Sequence, residues 1–258
     1  MIPEVDVARW SRIAPWPAIE QVEQDLVLSR LMIAFAQHPL LGRELVMRGG
    51  TCLHKLWLPR SMRYSEDLDY VRTTAGGVGP LFDAIRDVAD DMGFDAVRTD
   101  VTQHPKVVMR TRSTTGTPLR VKVEMNTFER APARPTTTRS LTVETAWFTG
   151  TADVPTFALE ELIATKLRAM YQRSKGRDVF DLWLVDRTFD IDPHAVAACF
   201  HPYRPDPWSV ERAMTNLERK LESETYLEDL RPLIREWPDG FDATAAREVA
   251  VRFLMASG

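Results

Sequence analysis

The sequence predicts an α+β protein, with a mixed sheet and flanking helices over residues 1–155 and a helical part over residues 156–258. Three observations predict it. Short apolar runs with two-residue alternation are interleaved with helical spacing in the first part. Strand signals vanish after Pro155. From there on, apolar residues recur at helical spacing nearly to the end of the chain. At 258 residues the chain can bury a sizeable core, as one large domain or two modest ones.

The elements follow in order. Residues 19–37 place Val22, Leu26, Leu31, Met32 and Phe35 at helical spacing and read as a long helix. Residues 45–47 are a short apolar run ending at Gly49-Gly50, as a buried strand would. A helix over 51–58 is closed by Pro59. Residues 67–71 form the second strand, and 80–93 carry Leu81, Ile85, Val88, Ala89 and Met92 on a helix. Strands over 106–111 and 119–126 flank a turn-rich connection at 113–117. Residues 131–138, rich in proline and threonine, are a loop before a last strand within 141–147. The helices of the second part cover 157–173, 177–186, 194–200, 208–222, 225–236 and 243–255.

Composition excludes several classes. No apolar run approaches the roughly 20 residues of a membrane helix, and residues 1–10 have no basic stretch followed by an apolar one. The expectation is a cytoplasmic protein without a membrane partner. Cys52 and Cys199 form no C-x-x-C pair and the histidines no H-x-x-x-H, so zinc and thiol redox motifs have no support. A net charge of −4 argues against a surface that binds nucleic acid all over. Between Arg98 and Ser140, however, nine Lys and Arg face three acids. Such a stripe either attracts phosphate or is a solvated sheet face.

The chemistry-bearing residues come next. Gly49-Gly50-Thr51 sits between a strand and a helix. Glycines let the backbone approach a phosphate, and the helix start aims N–H groups at it. The alternative is a tight turn with Thr51 as N-cap. On a strand, Asp67 and Asp69 point one way, while Leu68 and Tyr70 point the other. Paired carboxylates suit a cation, and Mg²⁺ takes few protein carboxylates besides water and phosphate. Glu124 lies on the polar face of 119–125. It either joins these acids or pairs with Arg120 or Lys122. Lys166 shares a helix face with Leu159, Leu162, Ile163 and Met170. It either snorkels or is held by the core toward a triphosphate. Arg173, Lys175, Arg177, Asp178 and Asp181 follow, with Asp178 and Asp181 on one face and Asp178 also a candidate helix cap.

The pattern resembles the AbiEii/MenT group of nucleotidyltransferase toxins of the polymerase-β-like superfamily. The matching residues are Gly49 to Lys55, Arg63 to Tyr70, Val121 to Glu124, Leu159 to Leu167 and Arg173 to Leu182, in the family's order. The resemblance implies a polymerase-β-like domain followed by a helical domain that contributes nucleotide-pocket residues. It implies Mg²⁺, or Mn²⁺ in its place, on Asp67 and Asp69. Ser65 would lie beside the nucleotide as a candidate for modification. Lys166 would contact the triphosphate, and Arg177 and Asp178 would complete the pocket. It also implies an NTP substrate, CTP or UTP, the 3′ end of tRNA as acceptor, and a cognate antitoxin. A protein or small-molecule acceptor, or a silent regulatory module, are the alternatives to that reading.

Overall fold

The computed structural model describes residues 2–258 and divides them into two compact units. One holds the residues up to Ala131 together with Thr136–Phe157, and the other holds Pro132–Pro135 and Ala158–Gly258.

The first unit contains α1 (Glu4–Trp10), α2 (Ile19–Gln37), α3 (Leu41–Glu44), β1 (Leu45–Arg48), α4 (Gly49–Cys52), β2 (Asp67–Arg72), α5 (Gly79–Asp91), β3 (Ala96–Asp100), β4 (Lys106–Arg112), β5 (Pro118–Asn126), β6 (Thr137–Glu144) and β7 (Thr149–Thr156). The strands form one seven-stranded sheet in the order β3-β4-β5-β2-β1-β7-β6. Neighbours are antiparallel except β2 with β5 and β1 with β7. The parallel pairing matters for the site, because it sets Asp67 opposite Lys122 and Asp69 opposite Glu124.

The core lies between the sheet and its helices. In β5 the residues Leu119, Val121, Val123 and Met125 are buried, while Arg120 is exposed and Lys122 and Glu124 are half-buried. Alternation of this kind marks a sheet with one covered and one open face. Helix α5 buries Leu81, Ile85, Val88 and Ala89 and packs on β3 and β4. Helix α2 packs on β5, β6 and β7, and α1 lies against it, so even Glu23, Asp25 and Ser29 are buried. Asp25 is satisfied there by Trp10 Nε1 at 2.7 Å, Trp16 Nε1 at 3.0 Å and Lys55 Nζ at 2.7 Å. A buried carboxylate is tolerated when paired and hydrogen-bonded in this way. Lys55 reaches it from a π-helical turn, Leu53–Trp57, that continues α4.

The second unit is helical: α6 (Leu159–Gln172), α7 (Gly176–Thr188), α8 (Pro193–Phe200), α9 (Val210–Leu221), α10 (Glu224–Glu228) and α11 (Ala243–Ala256). Helices α6 and α11 each pack on α7, α8 and α9. Asp192, Ser209 and Asp242 cap α8, α9 and α11 with side-chain oxygens. The C-terminal end of α6 is closed by Lys220, whose ammonium donates to the carbonyls of Met170, Tyr171 and Arg173. Among the described residues no helix is long and apolar enough to cross a membrane.

Several elements depart from expectation. Helix α1 and strands β3 and β7 were not foreseen, and the expected strand within 141–147 is the end of the longer β6. The expected helix over 225–236 is a short α10 followed by a 3₁₀ turn, Arg231–Leu233. Pro232 cannot donate to an α-helical ladder. Glu161, a carboxylate in the first turn of α6, is fully buried. It accepts from Ala133 N at 2.9 Å, Arg134 N at 3.0 Å and Tyr203 Oη at 2.6 Å.

Candidate active site

In the first unit the site begins where β1 ends. Arg48 is the N-cap of α4, and Gly49 takes φ +84°, a left-handed conformation open to glycine. A Cβ on Gly49 would lie 2.3 Å from Asp69 Oδ2. On Gly50 it would lie 2.5 Å from Arg63 Nη2 and 3.0 Å from Ser65 Oγ. Glycine is demanded at Gly49, by its φ and by the approach of Asp69, whereas at Gly50 the nearest atom is the end of the Arg63 side chain. Thr51 is not the N-cap. It is buried inside α4, and its Oγ1 donates to the Asp67 carbonyl at 2.6 Å and lies 2.9 Å from Ser65 Oγ. Gly49, Gly50, Thr51, Ser65, Asp67 and Asp69 thus form one cluster in which the hydroxyls tie the turn to the strand.

Asp67 and Asp69 share a face of β2, while Leu68 and Tyr70 are buried on the other. Burial, and then the charge of Asp67, push the Asp69 carboxyl above its ordinary range, against the opposing pull of Arg48. Lys122 reaches across from β5 to Asp67 Oδ2 at 2.9 Å and to Glu124 Oε2 at 3.4 Å. Burial alone would lower the Lys122 ammonium. The Asp67 hydrogen bond and the surrounding carboxylates outweigh it and raise the pKa. Glu124 lies opposite Asp69 in the register and also pairs with Lys106 at 3.8 Å. Its two sequence readings therefore coexist geometrically. It stands beside the acids, and it is paired with Lys122. Sequence reasoning missed the contact of Lys122 with Asp67, because a parallel register is not written in local spacing.

The donor set is chemically suited to a hard divalent cation. It consists of carboxylate oxygens, one of them strained in its charged form by burial and a like charge, set against a turn that leaves no room for a Cβ. Asp67 and Asp69 would hold such an ion, with Glu124 next to them.

The basic stripe does not stay together. Arg98, Lys106, Arg110, Arg112, Arg120 and Lys122 fall on the face of β3, β4 and β5 that carries Asp67 and Asp69, as the cross-strand registers require. Arg139 instead stacks on Trp57, 3.8 Å from the ring centroid. Arg134 belongs to the second unit, where it pairs with Glu160 at 3.0 Å.

In the second unit, α6 and α7 bring Lys166, Arg173, Asp178 and Asp181 together. Lys166 is buried and does not snorkel, since its Nζ lies 2.7 Å from Asp181 Oδ2 and 3.4 Å from Asp178 Oδ1. Arg173 grips Asp178 in two-pronged fashion at 2.6 and 2.7 Å. Burial alone would raise the Asp178 carboxyl. The Lys166 and Arg173 cations hold it below its usual range. Asp178 is not the cap of α7, which is Lys175. Gly176 opens α7 because a Cβ there would sit 2.4 Å from the Tyr226 carbonyl oxygen. Arg177 follows it, half-buried.

Comparison with known proteins completes the picture. No curated protein matches the sequence. Among solved structures, MenT4, a nucleotidyltransferase toxin of Mycobacterium tuberculosis, matches with a TM-score of 0.70 and 20% identity, over 99% of this chain and 90% of that one. JHP933 of Helicobacter pylori matches with a TM-score of 0.60 and 15% identity, over 93% of each chain. At such identities the likeness shows a shared fold. Residues 30–247 match the family described as nucleotidyl transferase AbiEii toxin, type IV toxin–antitoxin system. That span holds every residue of both clusters, and the chain belongs to the AbiEii family of nucleotidyltransferase toxins.

Proposed function

We propose that this nucleotidyltransferase uses a divalent cation, Mg²⁺ or Mn²⁺, to transfer a nucleoside monophosphate from CTP or UTP to the 3′ end of tRNA in the cytoplasm. Blocking that end would inhibit translation, and the cognate antitoxin implied by the family would relieve it.

The observation that carries the reading is the close approach of the Asp69 carboxylate to Gly49, on a sheet face that continues into six basic side chains. A cation on Asp67 and Asp69 would neutralise phosphate charge. The α4 N–H groups and the close backbone at Gly49 suit a triphosphate. The acceptor hydroxyl oxygen bonds to the α-phosphorus. The bond from that phosphorus to the oxygen bridging it to the β-phosphorus breaks, pyrophosphate leaves, and the hydroxyl proton passes to solvent. The protein chiefly positions the groups and offsets charge. Arg98, Lys106, Arg110 and Arg120 supply cations for an RNA backbone. The family resemblance assigns Lys166 to the triphosphate, and Arg173, Arg177 and Asp178 to the nucleotide pocket.

The test is incubation with each α-labelled NTP, Mg²⁺ and total tRNA. Label is expected in tRNA from CTP or UTP, and is expected to vanish with Asp67→Ala and with chelation of the metal. Absence of transfer to RNA from every NTP would remove the RNA acceptor. Label that survives nuclease but not protease would replace it with a protein.

A further inference from the structure

The loop that follows β5 holds a feature the transfer chemistry does not use. Phe128 is 61% exposed. A lone exposed apolar side chain is ordinary on a protein surface, but this one is presented by a fixed loop. The Asn126 side chain, itself buried, accepts from Phe128 N and Glu129 N at 2.9 Å each. Its Nδ2 donates to Glu129 Oε2 at 2.9 Å. Glu129 is in turn paired with Arg48 Nη1 at 2.8 Å, and Arg130 Nε donates to the Thr127 carbonyl at 2.6 Å. The His104 ring stands nearly perpendicular to Phe128, with centroids 6.1 Å apart. The ring is therefore braced while most of it stays in water.

Its place is the second observation. Arg48, which anchors the loop, precedes Gly49 and lies opposite Asp69 in the register. Glu124, opposite Asp69 on the other side, is four residues from Phe128, which is at most about 14 Å of extended chain. His104, against which the ring stands, is two residues before Lys106, the first residue of β4. Arg130, in the same loop, adds a positive charge. An exposed aromatic ring in a loop that follows a strand with outward basic side chains is suited to single-stranded nucleic acid, since every base has a π-face and stacking tolerates any sequence.

We propose that Phe128 is a stacking platform for the unpaired terminal base of the acceptor RNA. It would hold that nucleotide so that its 3′-hydroxyl reaches the metal carboxylates. The proposal rests on the RNA-acceptor reading above. Asn126, Glu129 and Arg48 act on the base only through the ring they position.

Equilibrium binding of a 5′-labelled RNA hairpin with a single-stranded 3′ overhang tests it, alongside the same hairpin made blunt. F128L keeps an apolar side chain but loses the ring, and F128W keeps stacking. Both changes are at an exposed side chain and are expected to leave the melting temperature unchanged. F128L is expected to weaken overhang binding about tenfold, to leave blunt binding unchanged, and to leave the KM for NTP within twofold. F128W is expected to bind as the wild type does. Equal losses on overhang and blunt hairpins would overturn the proposal. So would a raised NTP KM with intact RNA binding, which would hand the ring to the incoming nucleotide. An F128L protein that binds and extends RNA like the wild type overturns stacking alone. A wild type that binds no RNA removes the acceptor reading together with it.

Discussion

At the scale of single residues, Gly49 and Lys166 have the largest consequences. Gly49→Ala places a methyl within 2.3 Å of the Asp69 carboxylate and forces alanine to φ +84°. The dihedral alone costs about 1–2 kcal/mol, and the carboxylate must rotate away. Transfer activity is expected to be lost while the fold survives, which circular dichroism and an NTP transfer assay would separate. Lys166 was legible as a lysine on an apolar stripe. Its commitment to Asp178 and Asp181 was not, because the partners lie on another helix. Both carboxylates are fully buried, so Lys166→Met removes the ammonium that both of them face and is expected to cost roughly 3–5 kcal/mol in urea unfolding. Lys166→Met with Asp181→Asn is expected to recover part of that. Equal stability of the wild type and Lys166→Met would show the pair to be energetically silent. The recovery experiment also separates folding from a role on the triphosphate, since activity should stay absent when stability returns.

At the scale of elements, the coupling of α6 to α7 predicts a pH dependence. The Asp178 carboxyl binds a proton less readily in the folded protein than in the unfolded chain, where its pKa is about 3.9. Protons therefore favour the unfolded chain as pH falls. The stabilisation is complete above about pH 5 and is lost below about pH 4, as the folded-state value is approached. Urea midpoints from pH 7 down to pH 3 should fall for the wild type and be flatter for Asp178→Asn. Lys220 is expected to matter in another way. Lys220→Met leaves the carbonyls of Met170, Tyr171 and Arg173 without their donor and should destabilise by about 1–3 kcal/mol. The elements that were legible had strong periodicity, as in α2, α5 and β5. The missed ones lacked it for physical reasons. β3 is exposed on alternate residues and only half-covered on the others, so Ala96–Asp100 offers little apolar alternation. β7 contains Gly150 and Pro155, residues that ordinarily mark breaks, yet its Ala152, Val154 and Thr156 face the core. Beyond α10, Pro232 breaks the expected helix because it has no N–H to donate, although leucines at helical spacing flank it.

At the scale of the molecule, the basic residues are distributed by strand pairing rather than by sequence segment. The stretch from Arg98 to Arg139 reads as one basic block, but pairing sends only part of it to the carboxylate face. RNA binding should therefore weaken steeply with salt. Lys106→Ala or Arg110→Ala should each reduce the slope of log affinity against log salt by about 1, while Arg139→Ala should not. Anisotropy titrations of an RNA hairpin between 50 and 200 mM salt, on the order used for such slopes, measure it. Strand signals are lost after Pro155 in the sequence, and the two compact units change over between Phe157 and Ala158. The recruitment of Pro132–Pro135 to the helical unit was not legible, because it depends on the buried carboxylate of Glu161 finding backbone donors 28 and 27 residues upstream.

That short excursion makes the chain visit the helical unit twice. A fragment beginning at Ala158 would carry Glu161 without the amides of Ala133 and Arg134. A fragment ending at Phe157 would keep a four-residue finger with nothing to grasp. Neither half is a self-sufficient piece. No single cut spares both units, since one placed before Pro132 to keep the excursion with the helices would take β6 and β7 out of the sheet.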